Sequence, residues 1–199
     1  MKIHSVGAKL LHLDRHTEGQ RDMTKLRAAF HNFVNATISQ LNGILWDSDV
    51  TPKTKTHIYH AIVKSTITYA AETRCLKVKT TAKLNSTEMD FWRRSARISR
   101  KDKIRNNVIK KKMKVTRSLL EDIKTKQLQW YGHVQRIEEG RLPKEVLEWR
   151  PSGRRKRGRP KLTWAEGIRG MMGEKGLKEE DWADRNKWRR KMWKHWTTC

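Results

Sequence analysis

The sequence predicts an all-α or mostly α protein that is divided by a basic linker. Apolar residues recur at three- and four-residue spacing over several long stretches, which is typical of amphipathic helices. Capping residues, glycine and proline fall at the ends of those stretches. Only 36% of the 199 residues are hydrophobic, and nine are tryptophan. We therefore expect a modest core in which large indole rings supply much of the buried apolar surface.

The first predicted helix starts near Lys25, because residues 1–24 show little periodicity and form a poorly defined N-terminal segment. The sequence around Gly43, followed by polar residues, indicates where this helix ends. Its apolar positions follow helical spacing: Leu26, Phe30, Phe33, Val34, Ile38, Leu41 and Leu45.

A second helix is predicted after Thr51, which fits an N-cap, with Pro52 at the first helical position. It continues toward Ala71 through apolar positions at Ile58, Ile62, Val63 and Ile67. The run of β-branched residues at 66–69 is also compatible with a short strand, so both structures stay open there.

Three further helices are predicted before residue 149, over about 81–99, 106–113 and 116–139. The first of these has a strongly basic second half, and the second contains three consecutive lysines. The third has the wide apolar stripe of a core-facing helix, formed by Leu119, Leu120, Ile123, Gln127, Trp130, Tyr131, Val134 and Ile137. Gly140 and Pro143 are expected to end it.

A basic linker, residues 150–162, separates the helical region 25–149 from a tryptophan-rich C-terminal helical segment, 163–199. From Arg150 to Lys161 the chain carries five arginines and two lysines without a carboxylate, interrupted by glycine and proline. Such a segment cannot bury its charges and stays extended. After the linker, Thr163 and Glu166 fit a capping box, and a last helix is predicted over about 178–196.

The charge of the chain predicts a nucleic-acid partner. Lysine and arginine total 46 against 21 acidic residues, which gives a net charge of +25. Each phosphate that a cation neutralises releases condensed counterions, so DNA or RNA is the expected partner. The candidate contact residues are Arg93, Arg94, Arg97, Arg100, Lys101, Lys103, Arg105, Lys110, Lys111, Lys112, His133, Arg154, Arg155, Lys156, Arg157, Arg159 and Lys161.

Two finer readings concern the linker and the residues beside it. Its Arg-Gly-Arg-Pro core resembles an AT-hook, whose paired arginines fit a narrow minor groove. A solvated loop or a nuclear-import signal is the alternative. The indole ring of Trp149 or Trp164 could stack on unpaired bases, although a place in the core is the more common use of tryptophan.

Other classes of site are weakly indicated. Two cysteines do not make a disulfide framework or a multi-cysteine zinc site. No run approaches the roughly 18 apolar residues of a membrane span, so we expect a nuclear or cytoplasmic protein that is not secreted. Two histidine pairs have helical spacing, His12 with His16 and His57 with His60, but no further ligands are indicated. We therefore expect no metal, cofactor or small-molecule substrate.

A series of motifs follows in consistent order between about Leu26 and Met192: Leu41–Trp46, Lys55–Tyr59, Tyr69–Thr73, Glu88–Ala96, Asp102–Asn106, Gln127–Arg136, Leu142-Pro143 through Lys161, and Thr163-Trp164. The series resembles the region after the palm in LINE-type non-LTR retrotransposon reverse transcriptases. The resemblance implies that the chain corresponds to the thumb and C-terminal tail of an RNA-directed DNA polymerase. Residues 25–149 are then expected to form a thumb-like helical bundle that tracks a template–primer duplex through its phosphates.

The chain departs from that family at positions that concern catalysis. Such polymerases hold two Mg²⁺ ions with a Tyr-X-Asp-Asp or Phe-X-Asp-Asp turn and a further aspartate, and the ions neutralise developing phosphate charge. No adjacent Asp-Asp pair occurs in these 199 residues, so the resemblance implies no catalysis by this chain, and Mg²⁺ would belong to the missing palm. Ala70 also stands where the family tends to have glycine, and Arg74 where it tends to have tryptophan.

The function predicted from the sequence is that of a non-catalytic, nucleic-acid-binding remnant of such a polymerase. Its expected partners are DNA, RNA and the rest of a retroelement polymerase. Two alternatives stay open. One is a captured interaction module, in which the tryptophan-rich C-terminal helices bind a protein and the linker directs nuclear import; the other is a pseudogene product without a selected role.

Overall fold

A computed structural model describes residues 32–149 and 163–194, and these residues are mostly helical, with no β-strand among them. The all-α fold class is therefore confirmed. The N-terminal segment 1–24, the beginning of the first helix, the linker and the last residues lie outside the described ranges. The described helices are α1 (32–40), α2 (Asn42–Trp46), α3 (Pro52–Ile58, a π-helical stretch Tyr59–Lys64, and Ser65–Thr68), α4 (Val78–Ser95), α5 (Asn106–Lys112), α6 (Leu119–Gln135), α7 (Leu142–Glu148), α8 (Trp164–Glu174) and α9 (Arg185–Lys194).

Helix α3 begins as its sequence predicts. The Thr54 N–H donates to Thr51 Oγ1 at 3.3 Å, and Pro52 occupies the first turn. The strand alternative at 66–69 is wrong, because helical structure continues to Thr68 before a turn. The helix then stops short of Ala71, which is buried in the core.

A buried lysine joins α3 to the end of α2. The Lys55 ammonium donates to the carbonyl oxygens of Leu45 and Asp47 at 2.8 and 2.7 Å, which gives the last turn of α2 the donors that a helix C-terminus lacks. Burial, together with the charge of Arg97, lowers the pKa of Lys55. No feature of the sequence indicates that this lysine faces inward.

Three predicted helices have different bounds in the structure. Helix α4 begins at Val78 rather than 81, and it ends at Ser95 rather than 99 because Arg97 adopts a left-handed conformation with φ 57°. Helix α6 begins at Leu119 because Ser118 and Glu121 form a reciprocal capping box, and it ends at Gln135 rather than 139. The last predicted helix, 178–196, is split into a 3₁₀ turn, Glu179–Trp182, and α9, which Asp184 restarts by accepting hydrogen bonds from two backbone N–H groups.

Helix α7 is not predicted from the sequence. There Pro143 is expected only to end the preceding helix, whereas it lies in the first turn of α7, where the missing N–H of proline has no cost. By contrast, the predicted capping box of α8 is confirmed, since Thr163 and Glu166 exchange side-chain to backbone hydrogen bonds of 3.2 and 2.9 Å.

The apolar residues form two clusters, and α6 contributes to both. The first cluster centres on the rings of Tyr59, Phe91 and Trp92, whose centroids lie 4.5–5.2 Å apart. The second contains Leu128 of α6 together with Ile168, Met171, Met172, Leu177, Trp188 and Met192. Helix α6 therefore joins the C-terminal helices to the rest of the described chain.

A buried carboxylate fixes the relative positions of four helices. Glu88 of α4 is fully buried and accepts hydrogen bonds from the Tyr59 hydroxyl at 3.2 Å and the Leu119 N–H at 3.0 Å. The ammonium of Lys110 on α5 lies 3.7 Å from the same carboxylate. Burial and the neighbouring Glu88 charge raise the pKa of Tyr59, so its hydroxyl keeps its proton as the donor.

Among the described helices, none has the length and hydropathy needed to cross a bilayer.

Candidate nucleic-acid interface

The ten predicted contact residues between 93 and 112 divide into two groups. Five are exposed and have no ion-pair partner among the described residues; we call them the basic surface: Arg97, Lys101, Lys103, Arg105 and Lys111. They follow one another along the loop and short helix that connect α4 to α6. Asp102, the acidic residue between them, is occupied in capping the 3₁₀ turn Arg100–Asp102.

Arg93 holds this loop in place, and Arg94 joins α4 to α2. The Arg93 guanidinium donates to the Ile104 carbonyl oxygen at 2.7 Å and to Asn106 Oδ1 at 2.9 Å. Arg94 pairs with Asp90 at 3.0 Å and donates to Asn42 Oδ1 at 2.7 Å. Both side chains are half-buried. Through its bonds to the loop, Arg93 positions the basic surface.

The other three of the ten residues, Arg100, Lys110 and Lys112, each have a protein partner but are held less firmly than Arg93 and Arg94. Arg100 lies 3.4 Å from Asp90, but its side chain is 73% exposed and can still reach a ligand. Lys110 is held near buried Glu88, and Lys112 donates to the Ala96 carbonyl oxygen at 3.3 Å. Lys112 therefore ties α5 to the end of α4.

The other predicted contact residues do not join the basic surface in the described structure. His133 is exposed on the last turn of α6, roughly 21 Å along the helix axis from Leu119, and its ring centroid lies 5.6 Å from that of Trp130. The six linker residues Arg154, Arg155, Lys156, Arg157, Arg159 and Lys161 lie outside the described residues. Of the two tryptophans considered for stacking, Trp149 is 70% exposed, whereas Trp164 is half-buried and donates to Glu72 O.

Three helix ends in this part of the chain carry a cation in the left-handed conformation. Arg97, Lys103 and Lys114 have φ values of 57°, 52° and 53°. At the ends of α4 and α5, the residue after the left-handed one donates its N–H to the carbonyl oxygen five residues earlier. These bonds run from Ile98 N to Arg93 O and from Val115 N to Lys110 O, both at 2.9 Å. Helix α8 ends with the same bond, but there the left-handed residue is a glycine.

Glycine is the residue that this position favours. A side chain in the left-handed region costs roughly 1–2 kcal/mol, which glycine avoids. The basic segment therefore keeps arginine and lysine at backbone positions where they are sterically unfavourable. Sequence patterns could not reveal these three positions, because no glycine marks the helix ends.

Comparison with known proteins gives one relative. The chain is similar to a transposon-derived protein. That relative, an uncharacterized protein of Caenorhabditis elegans, is 26% identical over 146 residues, which cover 71% of this chain and 49% of the relative. This chain therefore spans about half the length of the curated relative it matches, and the similarity supports a transposon origin. No family model and no solved structure matches the chain.

Three of the ordered sequence motifs meet each other in the structure. Gln127 donates its side-chain amide to the carbonyl oxygens of Ala71 and Arg74 at 3.0 and 2.6 Å. Trp164 donates its indole N–H to the carbonyl oxygen of Glu72 at 2.8 Å. Three motifs that are distant in sequence thus form one joint between α6, α8 and the turn after α3.

The described residues contain no group of three or more histidine, cysteine, aspartate or glutamate side chains that could hold a metal ion. His57 and His60, one of the two pairs with helical spacing, both lie exposed on α3. The other pair, His12 and His16, lies outside the described ranges.

Proposed function

We propose that this protein is a non-catalytic, nucleic-acid-binding remnant of a non-LTR retrotransposon reverse transcriptase. In this proposal the basic surface, the exposed Lys114 that follows it and the linker grip backbone phosphates of a template–primer, or of target DNA or RNA. The observation that carries the proposal is the placement of Arg97, Lys103 and Lys114 in left-handed conformations. Strained backbone positions cluster at functional sites, and three of the four described non-glycine residues with positive φ present a cation.

The transposon-derived relative and the ordered polymerase motifs support the origin that we propose. The chemistry of the basic surface supports nucleic acid as the ligand. Cations without carboxylate partners are free to neutralise phosphates, and phosphate contacts position a protein on nucleic acid without reading its sequence.

The experiment replaces the three left-handed cations with glycine, as Arg97→Gly, Lys103→Gly and Lys114→Gly in one variant. Relief of backbone strain should raise the free energy of unfolding, while loss of three phosphate contacts should weaken binding to a 20-base-pair DNA duplex. Measured by fluorescence anisotropy, the slope of log affinity against log salt should fall by about 3. A more stable protein with weaker binding cannot be explained by unfolding.

Two controls accompany this variant. Ala70→Gly relieves the same backbone conformation without a change in charge and should leave affinity unchanged. The triple variant Lys77→Gln, Lys79→Gln and Lys83→Gln removes the same charge from the opposite end of α4, where these lysines are exposed. If this variant and the glycine variant lose the same affinity for the duplex, net charge alone explains the binding, and the assigned surface is contradicted.

Wild-type protein should lose about 10³–10⁵-fold in affinity between 50 and 200 mM salt if it contacts roughly 6–10 phosphates. A flat salt response, or no binding at low salt, would overturn the proposal. For the non-catalytic part, we expect no extension of a primed template with Mg²⁺ and deoxynucleoside triphosphates. Extension by the purified chain would contradict it.

The alternative of a protein-interaction module needs exposed tryptophans in the C-terminal helices. Trp188 is 2% exposed, and Trp182 packs against the second cluster. Trp193 is 41% exposed, but the Arg117 guanidinium lies over its ring at 4.7 Å. These rings contribute to packing, which favours the nucleic-acid proposal over this alternative.

A further inference from the structure

An open groove of about 410 Å³ lies between α4 and the loop that leads to α5. One wall is the exposed face of α4 with Asn85 and Ser86, and the other is formed by Arg100 and Asn106. Ala82 and Ser86 lie one helical turn apart, and their small side chains leave space for the groove on this face of α4. The volume falls within the range of small-molecule sites in proteins and suits a group of the size of one nucleotide.

One end of the groove carries two arginines, Arg93 and Arg100, and one carboxylate, Asp90, so it keeps an excess of positive charge. Arg93, which lines it, is fixed by its hydrogen bonds to Ile104 O and Asn106 Oδ1 at 2.7 and 2.9 Å. Because Asn106 accepts with its oxygen, its amide nitrogen is left with both hydrogens to donate. Arg100, 73% exposed, stands beside Lys101 of the basic surface. A ligand can therefore enter the groove while its charged part stays on the basic surface.

The other end of the groove offers neutral polar groups. The side chains of Asn85 and Ser86 are exposed, and neither makes a hydrogen bond to any described residue. An amide supplies donor and acceptor together, which is the pattern that pairs with the edge of a nucleobase. A bare phosphate would need only the arginines.

We propose that this groove receives one unpaired nucleotide, with its base against Asn85 and Ser86 and its phosphate on Arg100 and the Asn106 amide. The inference rests on the proposed function and deepens it, because the basic surface would hold the adjoining phosphates. A base within a duplex is stacked and paired and does not reach a lateral groove, whereas an unpaired base can be turned outward. The groove therefore favours single-stranded segments, and the basic surface alone accepts either form.

The test uses the full chain with the double substitution Asn85→Ala and Ser86→Ala. Both positions are exposed on a helix, and alanine favours that conformation, so the variant should fold. Affinities are measured by anisotropy for a 12-nucleotide single strand and for a 12-base-pair duplex of the same sequence at one salt concentration. We expect affinity for the single strand to fall about tenfold and affinity for the duplex to stay within about twofold.

Two further arms separate the groove from the basic surface. Lys83→Ala, an exposed change near the groove on the same helix, should leave the ratio of the two affinities unchanged. A single strand made of abasic nucleotides should bind wild type and the double variant equally. Unchanged single-strand affinity in the double variant, with duplex binding intact, overturns the groove alone. Absence of all binding by wild type overturns the proposed function and the groove together.

Discussion

At residue 132, helix α6 passes so close to the indole ring of Trp188 that no side chain fits. A Cβ atom there would lie 2.5 Å from Trp188 Nε1, and that nitrogen donates to the Leu128 carbonyl oxygen at 3.1 Å. The ring cannot move aside without losing its bond. We expect Gly132→Ala to lower the free energy of unfolding by about 1–3 kcal/mol, measured by urea denaturation.

The matched control is Gly167→Ala in α8. A Cβ at residue 167 meets no atom within 4 Å, and alanine in a helix interior is favoured over glycine by roughly 0.5–1 kcal/mol. The two substitutions should therefore change stability in opposite directions. Stabilisation by both would show that Trp188 is not packed against α6 as described.

Ala70 occupies a position that a glycine would fill with less strain. Residues 68–71 form a turn closed by the bond from Ala71 N to Thr68 O at 3.2 Å, and Ala70 has φ 50°. With φ −61° and ψ 124° at Tyr69, this is a type II turn, whose third residue favours glycine. The alanine at this position thus has a local backbone cost.

We expect Ala70→Gly to raise the free energy of unfolding by roughly 0.5–1 kcal/mol, because relief of strain exceeds the added entropy of the unfolded chain. Ala71→Gly is the control in urea denaturation. Ala71 is buried and its methyl group packs in the first cluster, so its loss should destabilise the fold. A lower stability for Ala70→Gly would contradict the assigned turn.

At the scale of elements, the sequence predicted those features that depend on local chemistry. The helix caps at Thr51 and Thr163 are confirmed. Each cap depends only on a threonine hydroxyl and the backbone N–H three residues later, so the local sequence is enough to predict it. The end of α4 could not be placed, since a left-handed arginine leaves no local signal, whereas α5 ends within one residue of its prediction. The candidate cations were evident from composition, but their division into engaged and free residues depends on contacts distant in sequence, such as that of Arg94 with Asn42.

Asp181 joins the 3₁₀ turn Glu179–Trp182 to α9. Its carboxylate is buried and accepts hydrogen bonds from Lys191 at 2.6 Å and from the Lys178 N–H at 2.9 Å, and Lys187 lies 3.0 Å away. The bonds from the Lys191 ammonium, the backbone and Lys187 hold the pKa of Asp181 well below its usual range. The charged carboxylate is therefore favoured in the folded chain.

This shift predicts a loss of stability in acid. The pKa of an unfolded aspartate is about 3.9, so the stabilisation is complete above that pH and is lost as the pH falls toward the lower folded value. In urea denaturation at pH 6, 4 and 3, Asp181→Asn should lose less stability on acidification than wild type. Glu180→Gln, an exposed change of the same charge, should follow wild type, and a wild-type response in Asp181→Asn would contradict the assigned bonds.

Across the whole molecule, packing and charge act in opposite directions. Helix α6 joins two apolar clusters, and the buried bonds of Glu88, Gln127 and Trp188 fix its neighbours. A net charge of +25 works against this arrangement, because like charges repel each other more strongly in the compact state than in the unfolded chain. A polyanion bound to the native state would relieve that repulsion and stabilise the fold.

Salt should therefore stabilise the protein while it weakens binding to nucleic acid. Between 10 and 150 mM sodium chloride the screening length falls from about 30 to about 8 Å, which reduces repulsion between distant cations more than attraction within close buried pairs. We expect the urea midpoint of wild type to rise over this range. The variant Lys101→Gln, Arg105→Gln and Lys111→Gln, with three fewer surface charges, should show a smaller rise. A midpoint that falls with salt would mean that ion pairs such as Lys187 with Asp181 outweigh the repulsion, and the excess of positive charge would then have no measurable cost to the fold.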